Sequence, residues 1–401
     1  MNYDLLSLVI FGIILYIFFR LNRKKFEVQG GIIALYKTKL GLNQMEKVSK
    51  WNRKFLKIFT NIGTFVGFAG MIFIFYILIK ATLELVLGWF GLMPAAPPAI
   101  ALVLPGVAIP GLGVTLSFWH WIISIFIVAA IHEFSHGFTA AFNKIKIKSS
   151  GFAFFGPILA AFVEPDEKEL NSKPKMKQLA VYAAGPFSNI ILGFLILAVS
   201  LFFITPAMGS LVDHEGVQIV SLEDGYPAKS SNLEVGDIIT SVNDIQIENV
   251  DDFINILGET KPNEEIVIET ENKTTSLTTI EHPKKEGKGY IGIIISSKET
   301  GFKKEIISKY GTFLPSVALW FAKLLFWLYV ISLGVGLFNL LPLGPVDGGK
   351  MFYTAGLAII KNEKKVKKIW KFISFFVLAL IVINLLPSFI KLFVWIYNLL
   401  I

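Results

Sequence analysis

The chain has no cysteine among its 401 residues. A disulfide framework and a thiolate metal site are therefore both excluded. Histidine is scarce as well, with five in all, so a metal site here must draw on few nitrogens and on carboxylates. Charged residues make up 17% of the chain, well below the soluble norm of about 25%. Hydrophobic residues make up 54%. That balance excludes an ordinary soluble enzyme. Several apolar runs reach the roughly 20 residues that a bilayer crossing needs, and the chain reads as a polytopic α-helical membrane protein.

The first apolar run does not read as a cleavable signal peptide. Leu5 to Phe19 is apolar, but Arg20, Arg23, Lys24 and Lys25 follow it instead of preceding it, so the stretch reads as an anchoring span with Arg20 in the cytoplasm. The formal charge of +8 hides a division. Thr205 to Thr300 holds 18 acidic and 7 basic residues, and the remainder holds 12 and 31. Most basic charge flanks apolar spans, where it orients the chain, and no nucleic-acid partner is implied.

About six spans are expected. After the first comes a basic loop, Arg20 to Lys57, and then spans near Ile58 to Ile79, Phe118 to Phe142, Leu179 to Ile204, Thr312 to Leu340 and from Phe372, where Pro387 should kink or end the helix. Met93 to Ser117 carries five prolines and no charge, which rules out one regular helix. Ser149 to Glu164 alternates weakly around Gly156-Pro157 as two short apolar strands. Residues 206–300 have another texture: short β-rich runs such as Val217 to Val220 and Asp237 to Val242 between turns, with a short helix near Asn249 to Leu257. Four regions follow: anchoring spans and basic loop (1–92), a first core part (93–205), a small inserted domain (206–300), and a second core part with the last span (301–401). By alternation of spans the insert lies outside the cytoplasm.

Chemistry concentrates in Ala129 to Gly137, AAIHEFSHG. Residues four apart share a helix face, so His132 and His136 can reach one ion together. Such an imidazole pair suits Zn²⁺, with Glu133 beside it as general base. Buried in an apolar helix, these groups are costly unless they have partners. A catalytic zinc takes three protein ligands. His214 and His282 belong to the insert, and His120 lies about three turns away on its own helix. Asp347 is the best candidate for the third. Alone, an Asp-Gly pair is most often a turn, but here it follows a span returning to the cytoplasmic side. Such a His₂Asp set predicts peptide-bond hydrolysis. Asn189 and Asn339 could hold an unwound backbone, and the 149–164 hairpin could offer an edge for strand addition. A plain inter-helix hydrogen bond is the alternative for Asn189.

HEFSH, Gly185-Pro186-x-x-Asn189 and Asn339-x-x-Pro342-x₄-Asp347-Gly348 together resemble the site-2 protease family of intramembrane zinc metalloproteases. The resemblance implies that His132, His136 and Asp347 bind zinc, that Glu133 is the base, and that Asn189 and Asn339 contact substrate. It also implies a lipid-embedded protein of the cell membrane, active site toward the cytoplasm, that cleaves single-pass membrane proteins within their spans in regulated intramembrane proteolysis. Gly225-Tyr226-Pro227-Ala228 with Leu233-x-x-Gly236-Asp237-Ile238-Ile239-x-x-Val242-Asn243 resembles a PDZ domain. That implies an extracytoplasmic α+β module able to take a peptide or a substrate ectodomain. Two other readings compete: a membrane zincin of the prenyl-protein or heat-shock protease type, whose third ligand is a downstream Glu, and a non-catalytic PDZ-bearing receptor.

Overall fold

The computed structural model describes all residues except 1–2, 30–32, 94–97, 101–103, 107–114, 156–157, 284 and 401, with side chains also left out at 29, 33, 155, 158, 213–215, 298–300 and 391–400. Along the chain run α1 (Tyr3–Leu21), β1 (Phe26–Gln29), β2 (Ile33–Thr38), α2 (Leu42–Ser49), α3 (Arg53–Trp89), α4 (Phe118–Phe142), β3 (Ile147–Phe155), β4 (Ile158–Pro165), α5 (Glu167–Ser172) and α6 (Lys175–Val199). Then come α7 (Thr205–Leu211), β5 (Val212–Leu222), β6 (Ile238–Val242), β7 (Ile245–Gln246), α8 (Val250–Glu259), β8 (Glu265–Thr270), β9 (Thr274–Thr278), β10 (Ile280–His282), β11 (Lys285–Tyr290) and β12 (Ile293–Phe302). Four helices close the chain: α9 (Lys304–Tyr310), α10 (Phe313–Asn339), α11 (Asp347–Ile360) and α12 (Glu363–Leu400). Among the described residues six helical stretches are long and apolar enough to cross a membrane. The protein is a polytopic membrane protein.

The chain divides into two compact units. The larger comprises 1–83, 98–201 and 323–401. Many large apolar side chains are exposed on it, among them Phe73, Phe194 and Phe375, as expected where lipid replaces water. Small residues let the helices approach. A Cβ at Gly63 would meet the Phe187 ring, one at Gly67 the Met351 methyl, and one at Gly70 Leu340 Cδ1, so one stripe of α3 lies against α6, α11 and the end of α10. Polar side chains tie some of the helices together. Asn384 donates to Thr82 Oγ1 at 2.6 Å and accepts from the Ala99 amide at 2.9 Å. At the start of α4 the Phe118 amide donates to Asp4 Oδ1 at 2.8 Å, so α1 caps the motif helix.

Four strands form an antiparallel sheet in the order β1-β2-β3-β4. The expected 149–164 hairpin is there, as β3 and β4, and its Gly156-Pro157 turn lies outside the described residues. The basic loop holds more structure than its charge suggests: β1 and β2 add two strands, with Tyr36 opposite Phe152. Phe18, Phe26, Tyr36 and Phe154 cluster with ring centroids 5.3–6.2 Å apart. Most of the Met93 to Ser117 stretch is outside the described residues. The last helix does not end at Pro387 but runs through it to Leu400; membrane helices tolerate such a proline because neighbours can satisfy the freed carbonyl.

The second unit comprises 84–97 and 202–322. Its main sheet runs β12-β5-β6-β8-β9, with β7 paired to β6, and β10 and β11 form a separate hairpin. Alternation places Ile266 and Ile268 of β8 inward, where they pack with Val217, Ile219, Ile239, Val242, Phe253 and Ile291. A capping box, Asn249 with Asp252, starts α8.

Candidate metal centre

The apolar run from Phe118 makes α4 one unbroken helix of 25 residues, and its 3.6-residue period stacks His132 and His136 on one face. Asp347 arrives by another route. Beyond α10 the chain turns back sharply and enters α11 with Asp347 as its first residue. Gly348 and Gly349 permit this turn: a Cβ at the first would collide with the Leu340 carbonyl, and one at the second with the Leu343 carbonyl. The backbone of 348–349 therefore lies flush on the end of α10 and carries the aspartate to α4.

Three side-chain atoms converge. His132 Nε2 lies 3.1 Å from Asp347 Oδ2, His136 Nε2 lies 3.2 Å from the same oxygen, and the two nitrogens are 3.1 Å apart. Among the described residues this is the only group of three or more His, Asp or Glu side chains placed to hold a metal ion. His132 and Asp347 are 6% and 7% exposed, so solvent cannot keep these polar atoms comfortable singly. Bonds of about 2.0–2.1 Å at a tetrahedral angle set zinc donors roughly 3.3 Å apart, which the triangle meets. The set is all nitrogen and oxygen, as a cysteine-free chain requires. The residues fit zinc.

Their outer atoms are held as well. His136 Nδ1 donates to the Val181 carbonyl of α6 at 2.7 Å. His132 Nδ1 stands 3.0 Å from Asn189 Nδ2, also on α6. Asp347 turns its other oxygen, Oδ1, toward Lys350 at 3.8 Å. Gly185 of α6 faces both rings, and a Cβ there would fall 2.6 Å from His132 Nε2 and closer still to His136 Nε2. Val181 and Gly185 carry no chemical trace in the sequence, because one acts through its backbone carbonyl and the other through an absent side chain; Lys350 is a lone charge three residues past Asp347. The Gly185-Pro186 pair was the one visible sign of the first two.

Glu133 accepts a hydrogen bond from the Val163 amide of β4 at 2.8 Å. The carboxylate therefore sits beside the edge of the sheet. Asn189 is brought to the histidines, whereas Asn339 spends its amide on the Val335 carbonyl of its own helix at 3.0 Å. Of the remaining histidines, His120 pairs with Ser117 at 2.5 Å. His282 packs on Tyr290 with ring centroids 4.7 Å apart, and the side chain of His214 lies outside the described residues.

A helix-borne His-Glu-x-x-His completed by an aspartate from a distant turn, inside a bundle of apolar helices, defines a membrane metallopeptidase. The chain belongs to peptidase family M50, whose profile matches residues 120–381, and it is a zinc metalloendopeptidase of the site-2 type. It is 30% identical over 362 residues to an uncharacterized protein of Methanocaldococcus jannaschii, covering 88% of this chain and 85% of that one. The zinc metalloprotease RasP of Shouchella clausii is 27% identical over 242 residues, 49% of this chain and 54% of RasP, so about half the length of RasP is matched. The regulator of sigma-W protease RasP of Bacillus subtilis is 24% identical over 266 residues, 55% of this chain and 61% of that one. Among solved structures, the PDZ domain of an SdrC-like protein of Listeria monocytogenes matches at 25% identity and a TM-score of 0.19, over 21% of this chain and 90% of that one.

Proposed function

We propose that this protein hydrolyses peptide bonds within the transmembrane segments of single-pass membrane proteins, with His132, His136 and Asp347 as zinc ligands and Glu133 as general base. One observation carries the reading: the three donor atoms meet in a buried triangle although Asp347 is 211 residues from His136 in the chain. When bound, zinc supplies Lewis acidity, acidifying water and polarising a carbonyl. Glu133 takes a proton from the attacking water, whose oxygen bonds to the carbonyl carbon. The C–N bond then breaks as Glu133 returns that proton to the leaving nitrogen. One carboxyl and one amino terminus result, and no other reactant is consumed.

A peptide bond in a membrane helix is shielded by its own hydrogen bonds, so substrate must unwind first. The edge of β4 at Val163 supports a place for the unwound strand, because it runs beside Glu133. Asn339 retains an amide oxygen that its own helix does not use. Basic flanks at Arg20 to Lys57 and Lys361 to Lys371 support a cytoplasmic setting for these ends and, with it, a cytoplasmic-half position for His132 and His136. Residues 206–300 are then an extracytoplasmic PDZ-like module that screens a peptide end or a substrate ectodomain before cleavage. A relative that is a regulator of sigma-W protease supports placing the reaction in regulated proteolysis at the cell membrane.

The test is Glu133→Gln. The variant should bind zinc as the parent does and lose about 10²–10⁴-fold in cleavage of a model transmembrane substrate. Unchanged turnover would remove Glu133 from the chemistry. Labelling of single cysteines introduced into this cysteine-free chain checks the orientation, and a label on the 206–300 region from the cytoplasmic side would reverse it.

A further inference from the structure

Asn189 is fully buried. Its Nδ2 faces His132 Nδ1 at 3.0 Å, while its Oδ1 has no hydrogen-bond partner. That arrangement conflicts with a metal on His132. A neutral imidazole that gives Nε2 to an ion carries its proton on Nδ1, which must then donate. An amide nitrogen is a donor and cannot receive it. His136 shows the compatible arrangement, with Nδ1 donating to the Val181 carbonyl at 2.7 Å. A half-turn of the Asn189 carboxamide exchanges oxygen and nitrogen at nearly unchanged positions. It gives the His132 proton an acceptor and the orphaned oxygen a donor.

We propose that Asn189 is a positioning residue: its amide oxygen accepts the Nδ1 proton of His132 and fixes the tautomer and ring plane that aim Nε2 at Asp347 and His136. The inference rests on these three residues being metal ligands. The backbone around Asn189 is suited to the task. Ser332 Oγ of α10 donates to the Asn189 carbonyl at 2.8 Å, and a Cβ at Gly336 would lie 3.2 Å from Asn189 Cβ. Helix α10 thus grips α6 at this residue and limits how far the side chain can drift. A purely structural inter-helix bond, the bland alternative, has no stake in which atom faces the ring.

Zinc affinity of the detergent-solubilised full chain, read by competition with a graded chelator, separates the two. Loss of such an outer partner weakens metal binding by about 10–100-fold. Asn189→Ala should fall in that range. Asn189→Asp keeps an acceptor of the same length and should bind zinc at least as tightly as the parent. Parent-like affinity in Asn189→Ala, or affinity in Asn189→Asp as weak as in Asn189→Ala, would overturn the proposal. Where Asn189→Ala does not fold, the Asp variant alone decides. Histidine-selective ¹⁵N NMR of the zinc-loaded parent reads the same point without a variant: a protonated Nδ1 on His132 supports it and a bare one overturns it. His136→Ala and Asp347→Ala serve as controls. Full zinc affinity in both would defeat the ligand assignment itself, whereas their loss of zinc beside a parent-like Asn189→Ala defeats only the positioning role.

Discussion

Replacing Gly185 by alanine should empty the metal centre while leaving the bundle folded. The added Cβ would stand 2.6 Å from His132 Nε2, and ordinary contact begins near 3.4 Å, so that ring must retreat by about 0.8 Å. His136 Nε2 is nearer still and must move further. Neither ring is free to do so, because His136 is tied to Val181 and His132 to Asn189, both on the helix that carries Gly185. Zinc sites hold their ligand distances within about 0.2 Å, so two of three protein ligands would be displaced several-fold beyond tolerance. Zinc affinity should fall at least about 100-fold, or roughly 2.8 kcal/mol. Chelator competition with zinc counted by mass spectrometry measures this, and circular dichroism confirms the helices. Gly193→Ala is the control on the same helix: its Cβ would meet Leu333 Cδ2 at 2.5 Å, which costs packing but leaves the donors untouched. If Gly185→Ala binds zinc within threefold of the parent, or Gly193→Ala loses it equally, the cradle argument fails.

Two further outcomes follow from contacts away from the metal. Asn384→Leu removes the acceptor of the Ala99 amide and the donor to Thr82 Oγ1, which keeps its own bond to the Leu78 carbonyl, and should lower stability by about 1 kcal/mol; an unchanged midpoint of unfolding in detergent would contradict this. Glu164 has its pKa held below the usual carboxylate value by the Ser149 hydroxyl at 2.6 Å and by Lys37 at 3.1 Å. A folded-state pKa below the unfolded one gives stability that is present above the unfolded value of 4.5 and lost as pH falls through the folded value. Amide exchange in β3 and β4, corrected for intrinsic rate, should therefore quicken at acid pH in the parent, and Glu164→Gln should remove that pH dependence. An identical acid response in both would rule it out.

The metal centre was largely legible in advance, for a physical reason. His132 and His136 are local to one helix, so period alone places them on one face, and among 30 carboxylates Asp347 stood out by its place in a glycine-rich turn after a returning span. Pairing over long separations was harder to see. β1 and β2 lie in a loop whose charge dominates the reading, and β2's second partner β3 is more than a hundred residues on, with Thr38 opposite Ser150. Of the two outcomes expected at Pro387, an end of the helix is ruled out, since α12 runs on to Leu400; in a membrane helix neighbouring groups can satisfy the carbonyl that a proline frees. Asn189 is legible in the sequence as a polar residue at the depth of the histidines. Its partner, however, depends on how α6 packs on α4, which no local pattern encodes.

The central claim is that His132, His136 and Asp347 hold one zinc ion. Anomalous diffraction from crystals of the zinc-loaded protein, measured on both sides of the zinc absorption edge, tests it most directly. The account predicts a single strong peak in the membrane-spanning unit, about 2.0–2.2 Å from both Nε2 atoms and from Asp347 Oδ2. A zinc peak elsewhere, or one bound by the histidines with the aspartate turned away, would contradict it.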